Sequence, residues 1–277
     1  WSFGYLGGVT SLGVALAYVN WAQAAGKSAA DFVPVTMVLT AALFALSSVP
    51  TFLFLRERAV ARPSAPVTLR DSLRRFMASL SSARQYPDFL RFLLCGACYQ
   101  AGISTVIALA AIYAEQVMHF VTEQTLMLIM LVNITAAIGA FGFGYLQDRI
   151  GHRLTLSITL VGWIVMTLLA YFSESAPMFW AAANLAGLCM GASQSAGRAM
   201  VGLFAPAERR AEFYGLWGVA TRFAAVIGPL TYGLATWLSG GNHRLAILIS
   251  GSSFVFGLIV LRTVDIERGE RAANQRF

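Results

Sequence analysis

Eight apolar runs, each about as long as a bilayer is thick, divide this 277-residue chain and leave little sequence between them. They extend over about Gly4 to Gln23, Phe32 to Leu55, Phe89 to Met118, Thr125 to Leu146, Leu154 to Phe172, Pro177 to Val201, Phe213 to Leu238 and Leu245 to Leu261. A hydrocarbon core about 30 Å thick takes roughly 20 helical residues at 1.5 Å each, and backbone amides in lipid must be satisfied within the segment. The runs are therefore expected to be helices, and the fold an all-α, polytopic transmembrane bundle. Composition supports this: 57% of residues are hydrophobic, 12% are charged and the mean hydropathy is +0.66, so no soluble domain is left over.

The net charge of +7 has a pattern. Of the 20 Lys and Arg residues 19 are Arg, and 17 of these flank alternate connections. Arg56, Arg58, Arg62, Arg70, Arg74, Arg75, Arg84 and Arg91 surround the second connection; Arg149 and Arg153 lie at the fourth; Arg198, Arg209 and Arg210 lie around the sixth. Arg262, Arg268, Arg271 and Arg276 follow the last run. Lys27 and Arg244 stand on the other side, and Arg222 falls inside the seventh run. The positive-inside rule makes the arginine-rich side cytoplasmic, with the C-terminus inside. A basic excess arranged this way is a topology signal, so the expected partner is the lipid bilayer and not nucleic acid. The expected location is a multi-pass position in a plasma (inner) membrane, of a bacterium.

Cys95, Cys98 and Cys189 all lie within apolar runs, where packed thiols are expected and a disulfide or metal framework is not. The chain shows no phosphate-binding loop, hydrolase elbow or His/carboxylate metal spacing, so no catalytic residue, metal or cofactor is expected. It opens at Trp1 without an initiator Met or a signal-peptide layout, and is expected to be a piece of a longer protein.

One connection is long, from Arg56 to Asp88. Pro63 and Pro66 break it, Thr68-Leu-Arg-Asp71 has the form of a capping box, and Leu69, Leu73, Phe76 and Leu80 recur at helical spacing opposite Arg70, Arg74 and Arg75. This predicts a basic amphipathic helix lying on an anionic leaflet; the competing reading is a solvated linker.

After the fourth run comes Gly144-Tyr-Leu146-Gln-Asp148-Arg149-Ile-Gly151-His-Arg153. A tight turn between antiparallel helices needs Gly151 for its backbone, while Asp148 can face a helix N-terminus and the arginines can meet acids or lipid phosphates. The segment resembles the G-x-L-x-D-R-x-G-x-R loop motif of the major facilitator superfamily, with His152 in place of the usual basic residue. Members of that family have twelve helices, a long loop between the sixth and seventh, and this motif after the second and eighth. The resemblance thus places the chain as helices five to twelve. Residues 1–55 would hold the last two helices of the N-terminal half, 56–88 the inter-lobe loop, 89–262 the C-terminal half and 263–277 a cytoplasmic tail.

An internal echo fits that plan: Phe3-Gly4-Tyr-Leu-Gly7 in the first run resembles Tyr214-Gly215-Leu-Trp-Gly218 in the seventh. Further segments, Gly4-Tyr-Leu-Gly7-Gly8, Gln194-Ser-Ala-Gly-Arg198 and Ala211-Glu-Phe-Tyr-Gly215 running on to Gly228-Pro229-Leu, resemble the "unknown major facilitator" branch, which includes autophagy-linked vacuolar effluxers. The resemblance implies a secondary transporter for a small organic solute, such as an amino acid or organic anion. It would work by alternating access, with the first helices of the same protein completing the cavity. A different class remains open, a membrane sensor or scaffold that keeps the fold without transport.

In the superfamily's layout helices seven and ten line the cavity, flanked by eight and eleven. Polar residues inside the runs mark faces turned from lipid. In the sixth run Asn184, Gly187, Gly191, Gln194 and Arg198 share one stripe, read either as a substrate face or as close packing, with Arg198 anchoring or gating near the inner mouth. Arg222 lies about 13 Å into the seventh run, where an unpaired guanidinium costs at least about 2.5 kcal/mol. Gly215, Gly218, Ala225 and Pro229 share its face, so it is the leading candidate to hold an anionic group, the alternative being an ion pair with an acid in absent helices. Tyr99, Gln100 and Asn133 complete the candidate substrate-binding set, and Gly144, Asp148, Arg149, Gly151, Arg153 and Arg198 the gating set. Asn133, Ala137, Ala140 and Gly144 form a small-residue face suited to close packing. No Asp or Glu lies deep in any run, Glu115 and Glu174 sitting near outer ends and Asp148 in the turn, so a proton relay is expected either in the absent first helices or at His119 near the outer surface.

Overall fold

All eight apolar runs are helices in the computed structural model, which describes residues 2–56 and 68–274. In chain order the helices are α1 (Ser2–Ala24), α2 (Ala29–Phe54), α3 (Leu69–Ala83), α4 (Pro87–Gln116), α5 (Thr122–Ile150), α6 (His152–Tyr171) and α7 (Ala176–Phe204). A 3₁₀ turn at Ala207–Arg209 leads to α8 (Arg210–Leu238), α9 (His243–Arg262) and α10 (Ile266–Asn274). Among the described residues there is no strand. Arg58, Arg62, Pro63, Pro66 and Arg276 lie outside the described residues.

By length and composition six of the eight long helices, α1, α2, α4, α5, α6 and α9, suit a membrane crossing. Helices α7 and α8 are equally long, at 29 residues, but small and polar residues dilute them. The structure explains α7: it packs against both α5 and α6, and its buried residues run from Phe179 to Phe204, so little of it needs to suit lipid.

Helices α4 to α9 form one bundle whose contacts repeat. The main pairs are α5 with α7, α4 with α8, α6 with α7, α4 with α9, and α6 with α9. Exchanging α4, α5, α6 for α7, α8, α9 carries the first four of these pairs onto one another and α6 with α9 onto itself, the mark of two three-helix repeats about an internal two-fold. Stacked rings fill the core, with Phe92 on Trp217 at 5.3 Å and Trp163 on Phe254 at 5.0 Å. Close backbone approach joins α5 to α7: a Cβ at Gly191 would run into the Ala136 carbonyl, so only glycine fits there.

Helix α1 packs on α5, and α2 leans chiefly on α1. In α1 Ala22 alone is fully buried, and in α2 no residue is. These two helices form an arm on the bundle.

The capping box predicted for α3 is present: the Asp71 N–H donates to Thr68 Oγ1 at 3.2 Å, and the Thr68 N–H to Asp71 Oδ2 at 3.1 Å. The apolar stripe is divided in its use. Phe76 and Leu80 pack against the bundle core, while Leu73 stays exposed with its neighbour Met77, and Arg209 donates to Ser82 Oγ. The helix is therefore docked on the bundle through its second half and does not lie free of it.

The motif after the fourth run is tighter than a loop. Helix α5 continues to Ile150, α6 starts at His152, and Gly151 alone makes the reversal at φ +85°, a conformation that favours glycine. Gln147, buried just before the turn, hydrogen-bonds the His152 ring across it.

Candidate functional site

A cavity of about 350 Å³ opens within the bundle, walled by α4, α5, α6, α7 and α9, with Tyr232 of α8 and Tyr5 of α1 completing it. Its surface is mainly apolar, with Val106, Met166, Phe179 and Phe254 among the walls, and no charged side chain lines it. The polar groups are few: Thr105, Asn133, Thr167, Gln194, Ser250 and tyrosine hydroxyls. A mostly apolar concavity with a few placed hydrogen-bonding groups is how small-molecule sites are built.

The tyrosine hydroxyls at the end opposite the arginines are engaged. Tyr113 Oη donates to the Ala170 carbonyl at 2.7 Å, and Tyr232 Oη lies 2.9 Å from His243 Nδ1. Arg244 caps the end of α6 beside them, donating to the Tyr171 carbonyl at 3.4 Å and the Ser173 carbonyl at 2.6 Å. Deeper in, Ser250 Oγ is buried without a hydrogen-bond partner.

Two of the predicted residues meet directly. Gln100 on α4 and Gln194 on α7 exchange hydrogen bonds: Gln100 Nε2 donates to Gln194 Oε1 at 3.3 Å, and Gln194 Nε2 to Gln100 Oε1 at 3.1 Å. The pair thus joins α4 to α7, the two helices that the internal two-fold relates. Both are half-buried, and Gln194 also lines the cavity. A paired amide holds two donors and two acceptors that a ligand can take over without leaving a charge behind.

Asn133 also lines the cavity, while its Nδ2 donates to its own helix at the Ile129 carbonyl. Asn184 is half-buried and donates to the Trp180 carbonyl, outside the cavity wall. Tyr99 is 1% exposed, in the core beside Trp217, and its hydroxyl has no hydrogen-bond partner. Gly187 and Gly191 press against the α5 backbone, so on that stripe close packing holds the glycines while Gln194 meets a polar side chain of α4. On α5 the close approach to α7 is made by Gly139, with Ala136 and Ala140 alongside, while Asn133 faces Gly8 of α1.

Arg222 lies elsewhere. It is exposed on α8, away from the cavity, between Gly215 and Gly218 on one side and Ala225 on the other, and a Cβ at either glycine would meet nothing within 4 Å. The opposite face of α8, with Trp217, Ala224 and Gly228, is the one buried on α4.

Of the gating set, Gly144 faces open space and Asp148 is exposed. Of the two partners open to the arginines, acids or lipid phosphates, no acid is hydrogen-bonded to them among the described residues: Arg149 sits over the Tyr145 ring at 5.3 Å, and Arg153 Nη2 donates to the Arg262 carbonyl at 2.8 Å. Arg198 is exposed near the Tyr214 ring, whose hydroxyl donates to the Arg198 carbonyl at 3.1 Å.

Three features escaped the sequence reading: Tyr5 reaching the cavity from α1, the orphaned Ser250 hydroxyl, and a carboxylate cluster at the arginine-rich end. There Asp88, 2% exposed in the first turn of α4, accepts from Arg268 Nε at 2.6 Å, Arg268 Nη2 at 2.7 Å, the Asp265 N–H at 3.0 Å and Arg91 Nη1 at 3.3 Å. The Asp88 hydrogen bond and charge hold the Arg268 guanidinium above its ordinary pKa. Among the described residues no three His, Cys, Asp or Glu side chains gather into a group that could hold a metal.

Comparison with known proteins agrees with this architecture. The chain is 24% identical to the uncharacterized MFS-type transporter YxiO of Bacillus subtilis, over 99% of this chain and 64% of that protein. It is 24% identical to Autophagy-related protein 22 of Saccharomyces cerevisiae, over 71% of this chain and 39% of that protein. The chain thus spans less than two thirds of the length of these relatives. The E. coli fucose:proton symporter FucP, in crystal structure, superposes with a TM-score of 0.59 at 15% identity, over 83% of this chain and 54% of that one. A bacterial homolog to the human lysosomal transporter Spinster, inward-facing and occupied, superposes with a TM-score of 0.53 at 17% identity, over 100% of this chain and 67% of that one. These likenesses establish the major facilitator fold of a multi-pass membrane protein. The family model described as "Vacuole effluxer Atg22 like" matches residues 1–274, and the chain belongs to that family.

Proposed function

We propose that the chain is the larger part of a secondary transporter that moves a small organic solute by alternating access. In this reading α1 and α2 close an N-terminal six-helix half, residues 56–88 are the inter-lobe loop, residues 89–262 are the C-terminal half and 263–277 its tail. The arginine-rich end faces the cytoplasm of a bacterial inner membrane, as the distribution of basic residues favours.

The observation that carries the proposal is the reciprocal Gln100–Gln194 pair at the edge of a largely apolar cavity. A solute with an apolar body and an amide, carboxylate or hydroxyl group could exchange hydrogen bonds with the pair, and the pair would reform when it leaves. That gives two states of similar energy, which alternating access requires. The uncharged cavity favours a neutral or zwitterionic solute inside this lobe, an amino acid for example. Arg222 faces away from the lobe, on an open small-residue face. There it contributes an anion-holding group at the junction with the first helices, where an organic anion or the carboxylate of an amino acid would be met.

Counterflow in proteoliposomes tests this with the full-length protein against amino acids, sugars and organic anions. Gln194→Ala and Arg222→Ala are each expected to cut the transport rate at least tenfold with insertion intact. Wild-type rates in both variants would refute the assignment, and ligand binding without any counterflow would favour a sensor.

A further inference from the structure

At the arginine-rich end, four guanidinium groups from four helices surround a depression of about 540 Å³: Arg91 of α4, Arg153 of α6, Arg262 of α9 and Arg268 of α10. Arginines this close repel unless something negative lies between them. The two acids present, Asp88 and Asp265, leave the cluster with a surplus of two positive charges.

The hydrogen bonds show what is already spoken for. Arg268 uses Nε and Nη2 on Asp88. Arg91 uses Nη1, shared between Asp88 and the Thr263 carbonyl at 3.3 Å each. Arg153 uses Nη2 on the Arg262 carbonyl. The guanidinium groups of Arg268, Arg91 and Arg153 are thus each held with donors to spare, out of five, and the Arg262 guanidinium makes no hydrogen bond or ion pair among the described residues. Holding arginines by one edge and aiming the rest at a common space is how a phosphate is met.

The surroundings select among phosphates. The depression sits at the starts of α4 and α6 and the end of α9, and exposed apolar side chains occupy the adjoining turns of α6 and α9. These are Leu154 and Ile158 on α6, one and five residues beyond Arg153, and Ile259 and Val255 on α9, three and seven before Arg262. A headgroup at the arginines would have its acyl chains along those residues.

We propose that Arg91, Arg153, Arg262 and Arg268 form a binding site for a phosphate group, supplied by an anionic phospholipid of the surrounding leaflet. Since Arg153 follows the Gly151 turn and Arg268 is bound to the start of α4, an occupied site ties α6, α9 and α10 to α4. The proposal is independent of transport.

Native mass spectrometry of the full-length, delipidated protein tests it with phosphatidylglycerol, phosphatidylcholine of the same chains, and inorganic phosphate. The expected result is retention of phosphatidylglycerol over phosphatidylcholine, weakened about thirtyfold in Arg153→Gln/Arg262→Gln, at about 1 kcal/mol per arginine. Arg70→Gln/Arg84→Gln, which removes the same charge from the same end, should leave the preference intact. Inorganic phosphate should bind far more weakly than the lipid; equal binding would overturn the lipid assignment in favour of a soluble phosphate compound. Equal retention of the two lipids, or a preference unchanged in Arg153→Gln/Arg262→Gln, would overturn the site.

Discussion

Helices α2 and α9 are about equally apolar, yet α2 buries none of its residues whereas a third of the most apolar window of α9 is buried. Phe44, Phe52 and Phe54 of α2 are each more than three quarters exposed, whereas Phe254 of α9 is 1% exposed and stacked on Trp163. Hydropathy therefore marks a helix as able to live in lipid but does not say what it packs against. Partner choice lies in the small residues: Gly187, Gly191 and Gly228 each meet a neighbouring backbone, while Gly4, Gly7 and Gly13 of α1 meet nothing. At these positions the glycines of the bundle are packed and those of the arm are open.

Substituting glycines on both sides gives the largest contrast. Gly191→Leu would force α7 away from α5 and is expected to cost about 3 kcal/mol or more, seen as aggregation in detergent-solubilised chromatography. Gly7→Leu should leave the 277-residue chain unchanged but destabilise the full-length protein, if the open face of α1 packs on helices beyond this chain. An equal loss in both would break the comparison.

Next in size is Asp88→Ala. With its carboxylate buried and Arg268 half exposed, the change is expected to cost about 2 kcal/mol, less than a fully buried pair. Hydrogen exchange in α10 should rise while that of α2 stays as it was.

A double-mutant cycle on Gln100→Ala and Gln194→Ala should give a smaller coupling, about 0.6 kcal/mol in thermal unfolding, as inter-helix hydrogen bonds in membranes do. Smallest of all, Phe52→Ala in the arm should stay within about 0.5 kcal/mol of the wild type.

Much of this was legible in the sequence because lipid imposes lengths. The third run, expected over Phe89 to Met118, is helix Pro87–Gln116. The fourth was expected to end at Leu146, but α5 runs on to Ile150, because polar residues end a hydrophobic run without ending a helix, and only Gly151 reverses the chain. The short helix α10 was not anticipated. Its hold on the bundle is made by Gly269 against Phe204 and by Arg268 on Asp88, 180 residues away, and a single sequence cannot announce such a pairing. In the site, Gln100 and Gln194 were found as polar residues in apolar helices, although their pairing depends on how α4 and α7 meet. Arg222 shows the limit. Its depth could be counted, but which face of α8 turns inward was decided by Trp217 and Gly228 packing on α4, and that leaves Arg222 on the other side.

Alternating access across the Gln100–Gln194 pair can be tested most directly by placing a single thiol there. In the full-length protein, Gln194→Cys on a background lacking Cys95, Cys98 and Cys189 is exposed to a membrane-impermeant thiol reagent from each side in turn. The account predicts labelling from both sides, with the favoured side changing when the solute gradient is reversed. Labelling from one side only, whatever the gradient, would contradict it.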